Sequence, residues 1–267
     1  MPTANIRAVT SRQNSRVKAL RAAFERPGRP SGLSEGLIGI EGEHLLLEAL
    51  RSNLTFEAVF VVAGSEHWFD QLPVPADVEM LSVPPDIFAS AVTTETPQPI
   101  AALVHAPIFQ LEPLAASANP LVVISAGLQD PGNLGTLIRS AEAFGASGLI
   151  ALPGTVSQWN AKALRASSGS AFRLPVINCS VSETIDFLRS RKIQILAAAA
   201  GEENLEHDLR RPTAILIGNE GAGLSQELLD LADARIAIPC PGITESLNAA
   251  VAGSILLYEA SRQRGRA

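Results

Sequence analysis

From about residue 121 onward, short apolar runs alternate with stretches of helical length, and that alternation confines this part of the chain to an α/β fold with a mostly parallel sheet. Leu121-Val-Val-Ile124 is a continuous apolar run of the kind buried on both faces of such a sheet. The pattern predicts a helix over Leu134–Phe144, a strand over Gly148–Leu152, a helix over Ala161–Ser167 and a strand over Leu174–Ile177. A helix over Glu183–Arg191 follows, then strands at Ile193–Ala199, Ala214–Ile217 and Arg235–Ile238, with a helix over Ser225–Leu231 between the last two. The final element, from about Ser246 to Arg262, is apolar almost all round, which marks a buried helix.

The first half reads as a separate, smaller α/β unit. Ser11–Phe24 is an amphipathic helix with Val17, Leu20 and Phe24 on one stripe. Strands are expected at Leu37–Ile40, Phe56–Val62, Glu79–Val83 and Ile100–Val104, with a helix over His44–Leu50. Pro107, Pro113 and Pro120 punctuate a linker, so the expected division is 1–106, a linker at 107–120, and 121–267.

The net charge of −6 argues against a generally adhesive nucleic-acid binder, but the distribution is uneven. Arg7, Arg12, Arg16, Lys18, Arg21, Arg26 and Arg29 face only Glu25 in the first thirty residues, whereas Arg51 is the sole base of residues 31–120. This basic head suits phosphate contacts, a solvated helix face or a transit peptide. Cys179 and Cys240 make neither a disulfide framework nor a metal-ligand spacing, which points to a reducing compartment, the cytoplasm. His44, His67, His105 and His207 are scattered and read as ordinary histidines, so no metal is expected. No apolar run is long and isolated enough to span a bilayer, so no membrane association is expected.

Three polar clusters follow strands of the second half, where open α/β sheets bind ligands. The first is Asp130-Pro-Gly-Asn133-Leu-Gly-Thr-Leu-Ile-Arg139, whose arginine has the length to reach back toward the strand ends. The second is Gly218-Asn-Glu220-Gly-Ala-Gly223, where glycines let backbone approach a ligand closely. Its spacing is neither the dinucleotide fingerprint nor a Walker loop. The third is Ile238-Pro-Cys-Pro-Gly-Ile-Thr-Glu-Ser246-Leu247-Asn248, at the mouth of the last helix, where side chains and free N–H groups can converge. Each also has an ordinary explanation: Arg139 paired with Glu142, Glu220 capping the helix after it, Ser246 as a helix cap.

In order, these three stretches resemble the motifs of the SpoU (TrmH-type) RNA ribose methyltransferases of the SPOUT superfamily. Thr10-Ser-Arg-Gln-Asn-Ser-Arg-Val-Lys, Ile40-Glu-Gly-Glu-His and Thr94-Glu-Thr-Pro-Gln resemble the ribosomal-protein-like RNA substrate-binding domain that precedes many of them. The resemblance implies a C-terminal parallel-sheet domain with a deep trefoil knot, S-adenosylmethionine held by backbone around Gly218, Gly223, Ile238 and Leu247, and a homodimer through the C-terminal domain. It also implies transfer of a methyl group to a ribose 2′-hydroxyl of structured RNA, ribosomal RNA ahead of transfer RNA. Asn133, Arg139, Glu220, Ser246 and Asn248 match the family's catalytic positions. Arg139 is expected to grip the target phosphate, Glu220 to fix the Arg139 side chain, Asn133 and Asn248 to orient the nucleotide or Arg139, and Ser246 to contact phosphate or ribose. The competing readings are a non-catalytic RNA-binding or ribosome-assembly factor and a small-molecule nucleotide enzyme; the intact motif set opposes the first, the missing phosphate-loop spacing the second.

Overall fold

The computed structural model describes residues 6–28, 36–199, 207–243 and 246–265. In chain order the strands are β1 (Ile6–Ala8), β2 (Leu37–Glu41), β3 (Phe56–Val62), β4 (Glu79–Val83), β5 (Ile100–His105), β6 (Leu121–Ser125), β7 (Gly148–Ala151), β8 (Val176–Asn178), β9 (Gln194–Ala198), β10 (Thr213–Ile217) and β11 (Ala234–Ile236). The helices are α1 (Ser15–Glu25), α2 (Glu43–Arg51), α3 (Trp68–Gln71), α4 (Pro85–Ala89), α5 (Pro131–Ala143), α6 (Ala161–Ser167), α7 (Val181–Ser190), α8 (Gln226–Leu231) and α9 (Ala249–Gln263). The chain divides into two compact units, Met1–Ile108 with Trp159–Phe172, and Phe109–Gln158 with Arg173–Ala267.

The first unit has a mixed sheet in the order β1-β4-β3-β5-β2. Strands β1, β4 and β3 run parallel, while β5 is antiparallel to both β3 and β2. The strand β1 carries no readable pattern, being three exposed residues, and was not expected. Helix α1 begins at Ser15 because the Asn14 side chain accepts the Arg16 N–H at 2.8 Å. Its stripe of Val17, Leu20, Ala23 and Phe24 is buried in the core with Leu81, Phe88 and Leu103. Segment 159–172, expected with the second half, belongs instead to this unit: Ala161 packs on the α1 core cluster, and the Trp159 ring lies against Gly28.

Three of the six described bases of the head find acid partners within this unit. Arg7 pairs with Glu79, Arg12 with Asp86, and Arg16 with both Glu57 and Glu79. Arg21 donates to the Ser90 carbonyl and hydroxyl. Glu57, Glu79 and Asp86 of the acidic middle are thus partners of the basic head, and a charge split visible in the sequence becomes local pairing. Arg29 lies outside the described residues.

The second unit carries the parallel sheet that the alternation predicted, β11-β9-β10-β6-β7-β8, with all five neighbouring pairs parallel. The central strands β6 and β10 are buried at every residue, in keeping with their continuous apolar runs. Helices α5 and α9 pack against each other: Gly253 sits where a side chain would meet Leu137, and the Ser140 and Ser254 hydroxyls are 2.7 Å apart. Helix α9 starts at Ala249 rather than Ser246, because Asn248 is its cap. It is buried along Ala250, Gly253, Leu256, Leu257 and Ala260, but Val251 and Tyr258 on its other side are 46% and 49% exposed.

Candidate active site

The three motif stretches meet at the C-terminal ends of the parallel strands of the second unit. The second and third of them line a cleft of about 440 Å³ whose wall includes Ala198, Ile217, Gly218, Glu220, Ile236, Ile238, Leu247 and Leu256. That size lies within the usual range for small-molecule sites, ~300–1,000 Å³. Gly223, Cys240 and Ser246 also line it, so all four backbone-binding positions expected from sequence, Gly218, Gly223, Ile238 and Leu247, are on its wall. Thr244 and Glu245 of the third motif lie outside the described residues.

The second motif forms a closed loop. Asn219 and Gly223 exchange backbone hydrogen bonds, each at 3.0 Å. A Cβ at Gly218 would sit 2.5 Å from the Gly223 carbonyl carbon, so only glycine fits where the loop closes on itself. The Asn219 side chain shapes the turn by accepting the N–H groups of Gly221 and Ala222, and its amide donates to the Gly127 carbonyl at 2.7 Å. Sequence reasoning did not single out Asn219, although an asparagine ahead of a glycine-rich turn is itself a turn signal.

A chain of side-chain hydrogen bonds joins the three motifs, and its polarity is fixed from one end. The Asn248 oxygen accepts the Ala250 and Val251 N–H groups at the start of α9, at 2.9 and 3.2 Å. Its amide nitrogen therefore faces outward and donates to the Asn133 oxygen at 3.0 Å. The Asn133 amide is left to donate to Glu220, also at 3.0 Å. Glu220 further accepts the backbone N–H groups of Gln129 and Asp130 at 3.2 and 3.1 Å. Burial raises the Glu220 pKa, but the Asn133 amide and these backbone donors outweigh it, and the net shift is downward. The ionised acceptor is what this donor set requires.

Two expectations change. Glu220 does not hold Arg139: its partners are the donors just named, and Arg139 is exposed on α5 with no hydrogen bond or ion pair among the described residues. Arg139 lies six residues beyond Asn133, about 9 Å along the helix axis, and does not line the cleft. The ordinary explanations fail as well, since Glu142 pairs with Arg173 and α8 is capped by Ser225. Cys240, whose place between two prolines at a strand exit suggests a small buried residue, is exposed and lines the cleft.

The cleft suits a nucleoside-bearing cofactor. Its walls are apolar at Ile217, Ile236, Ile238 and Leu256, and the backbone of Gly218, Ile238 and Leu247 makes no hydrogen bond among the described residues. Unpaired backbone donors and acceptors in such a wall need a ligand or solvent. The described residues contain no group of three or more His, Cys, Asp or Glu able to hold a metal, and no helix long and apolar enough to cross a membrane.

Residues 120–258, just over half of the chain, match the SpoU rRNA Methylase family. The chain belongs to that family. Residues 14–102 match the MRM3-like substrate binding domain. Among relatives of this SpoU chain, the Bacillus subtilis (strain 168) protein named 23S rRNA (guanosine(2553)-2′-O)-methyltransferase RlmP is 38% identical over 82% of this chain and 86% of its own length. A Streptomyces viridochromogenes 23S rRNA (uridine(2479)-2′-O)-methyltransferase is 34% identical over 74% of this chain and 72% of its own. The solved structure of the SpoU methyltransferase AviRb from S. viridochromogenes in complex with the cofactor AdoMet superposes with a TM-score of 0.81 at 28% identity, covering 94% of this chain and 98% of that one.

Proposed function

We propose that this SpoU-family chain uses the cleft to bind S-adenosylmethionine and methylates a ribose 2′-hydroxyl of ribosomal RNA. It is an S-adenosylmethionine-dependent RNA 2′-O-methyltransferase; the finer assignments below rest on the motif residues and their geometry. The observation that carries the reading is the hydrogen-bonded chain Asn248–Asn133–Glu220, which ties all three family motifs together beside an apolar cleft of cofactor size.

Backbone of Gly218, Gly223, Ile238 and Leu247 holds the cofactor, with the loop closure at Gly218 setting the wall. S-adenosylmethionine, when bound, would supply an electrophilic methyl carbon on a sulfonium, open to in-line displacement by the ribose oxygen. What remains for the protein is positioning and help with the hydroxyl proton. A guanidinium stays protonated in proteins and is a poor base. Arg139 therefore grips the phosphate next to the target and stabilises the developing alkoxide, while a phosphate oxygen or water takes the proton. Asn133 and Asn248 hold the loop that presents the nucleotide, Glu220 anchors that loop, and Ser246 contacts phosphate or ribose.

The enzyme acts as a homodimer. The exposed apolar residues Val251 and Tyr258 on α9 supply the contact face, and Arg139, outside the cleft of its own chain, serves the cleft of the second copy. The family's trefoil knot, in which the C-terminal part of the sheet domain threads through a loop, and residence in the cytoplasm belong to the same proposal. The test is methyl transfer in vitro from S-adenosylmethionine labelled in its methyl group to an unmodified 23S rRNA transcript. Label must enter the RNA with the wild type and not with Arg139→Ala. Cofactor bound without any transfer to RNA would favour the non-catalytic assembly factor.

A further inference from the structure

The loop 126–130, which runs from β6 into α5, decides where Asn133 and the hydrogen-bonded chain stand. Part of its support comes from the second motif: Asn219 donates to the Gly127 carbonyl, and Glu220 accepts the N–H groups of Gln129 and Asp130. At the end of the loop the Asp130 carboxylate accepts the Asn133 N–H at 2.9 Å and so caps the helix. A second set of bonds reaches the same loop from the turn 152–156, after β7, which belongs to none of the three motif stretches.

Thr155 is the centre of that second set. Its hydroxyl donates to the Ser125 carbonyl at 3.0 Å and accepts the Gly127 N–H at 3.1 Å. The one hydroxyl proton is thereby committed to Ser125, and Gly127 depends on a lone pair of the same oxygen. The next residue adds a backbone bond, from the Val156 N–H to the carbonyl of the fully buried Leu128, at 2.8 Å. Gly127 has a φ of 75°, a conformation that glycine takes without strain. One left-handed residue is thus held at its N–H by Thr155 and at its carbonyl by Asn219 of the second motif. A threonine that served only its own turn would bond within that turn, whereas the Thr155 hydroxyl bonds all leave it for β6 and the loop after β6.

We infer that Thr155 is a positioning residue for methyl transfer: by fixing Gly127 it sets the loop 126–130, and through that loop the Asn133 side chain and the first turn of α5. The inference rests on the methyltransferase reading and adds a residue outside its motifs. Thr155 does not line the cleft, so it acts through the backbone of the loop. Gln129 and Asp130 follow closely on Gly127, and theirs are the N–H groups that Glu220 holds, so a shift at Gly127 draws both donors away from Glu220. The wall of the cleft is better insulated, because the second motif closes on its own backbone bonds between Asn219 and Gly223. Loss of the Thr155 hydroxyl therefore falls on turnover rather than on cofactor affinity.

The test is steady-state transfer of labelled methyl from S-adenosylmethionine to an unmodified 23S rRNA transcript, with calorimetry for the cofactor. Thr155→Val keeps the shape and removes the hydroxyl. Its kcat is expected to fall at least about tenfold, in line with the cost of misplacing a reacting group, while cofactor affinity and the KM for the transcript stay near wild type. Thr155→Ser keeps the oxygen and restores most of kcat. In an Asn133→Ala background the valine substitution costs little more, because its effect passes through Asn133; a threonine that only supported the fold would lower stability and add its full cost there. Should the valine variant not fold, Thr155→Ala carries the same comparison. Wild-type kcat in the hydroxyl-free variant, or the full extra loss in the Asn133→Ala background, overturns the inference. The two readings fail separately: a wild type that binds S-adenosylmethionine but never methylates the transcript sinks the reaction, whereas transfer indifferent to Thr155 sinks only the inference.

Discussion

At the scale of single residues, the site is a relay whose direction is set by the first N–H groups of α9. Asn248→Asp tests that directly. A carboxylate still caps the helix, so thermal stability should fall by less than the ~1 kcal/mol typical of a lost cap. It cannot donate to Asn133, however, and turnover should drop at least tenfold with cofactor affinity nearly unchanged; retained turnover would remove the relay from the mechanism. Arg139→Ala should lower kcat by about 10²–10³, the usual result of deleting one charge-stabilising donor, while calorimetric binding of S-adenosylmethionine persists. Glu220 carries a pH prediction. Its folded pKa lies below the ordinary value of 4.5, so its stabilising contribution is complete above that value and is lost as the pH falls through the lowered one. Acid unfolding of the wild type should therefore keep a component below pH 4.5 that Glu220→Gln lacks, and superimposable acid transitions would contradict it. Cys240→Ala should keep full activity, yet alkylation of Cys240 by a maleimide should be slowed by S-adenosylmethionine, because the thiol lines the cleft.

Among the elements, those with strong periodicity were legible in the sequence and those defined by capping or by distant packing were not. The strands β3 and β4 and helix α6 fall on the expected residues, since apolar runs and flanking turn residues define them locally. The start of α9 was misplaced because Ser246 and Asn248 are equally good caps by type, and only the bonds to Ala250 and Val251 decide for Asn248. The basic head left phosphate contacts, a solvated helix face and a transit peptide open because sequence shows charges but not their partners, and for Arg7, Arg12 and Arg16 these lie 41 to 74 residues away. The helix α1 is instead part of the first unit's core. Leu20→Ala should cost about 2–5 kcal/mol, as for other buried leucines, read by denaturant unfolding. Removing residues 1–30 should then unfold this unit rather than merely flatten a salt slope. A truncated chain with native near-ultraviolet circular dichroism would count against that placement.

On the scale of the whole molecule, the parallel sheet and the three motif stretches followed from residue patterns, while the side chain that holds Glu220 did not. The expected Arg139–Glu220 contact joined two motif residues by family role; the molecule joins Glu220 to Asn133 and to two backbone N–H groups instead. Arg139 is left projecting, which is why the reading needs a second copy of the chain. At micromolar concentration the protein should be a dimer by light scattering, and Val251→Glu/Tyr258→Glu should be monomeric and inactive; an active monomer would remove the shared-site proposal. The central claim is that a methyl group reaches a ribose oxygen of ribosomal RNA, and nucleoside analysis tests it most directly. After reaction with methyl-labelled S-adenosylmethionine, the 23S rRNA transcript is digested to nucleosides, and all label should run as a single 2′-O-methylated nucleoside. Replacing the target by its 2′-deoxy counterpart should leave binding intact and abolish incorporation. Label on a base, or methylation of the deoxy substrate, would contradict the account.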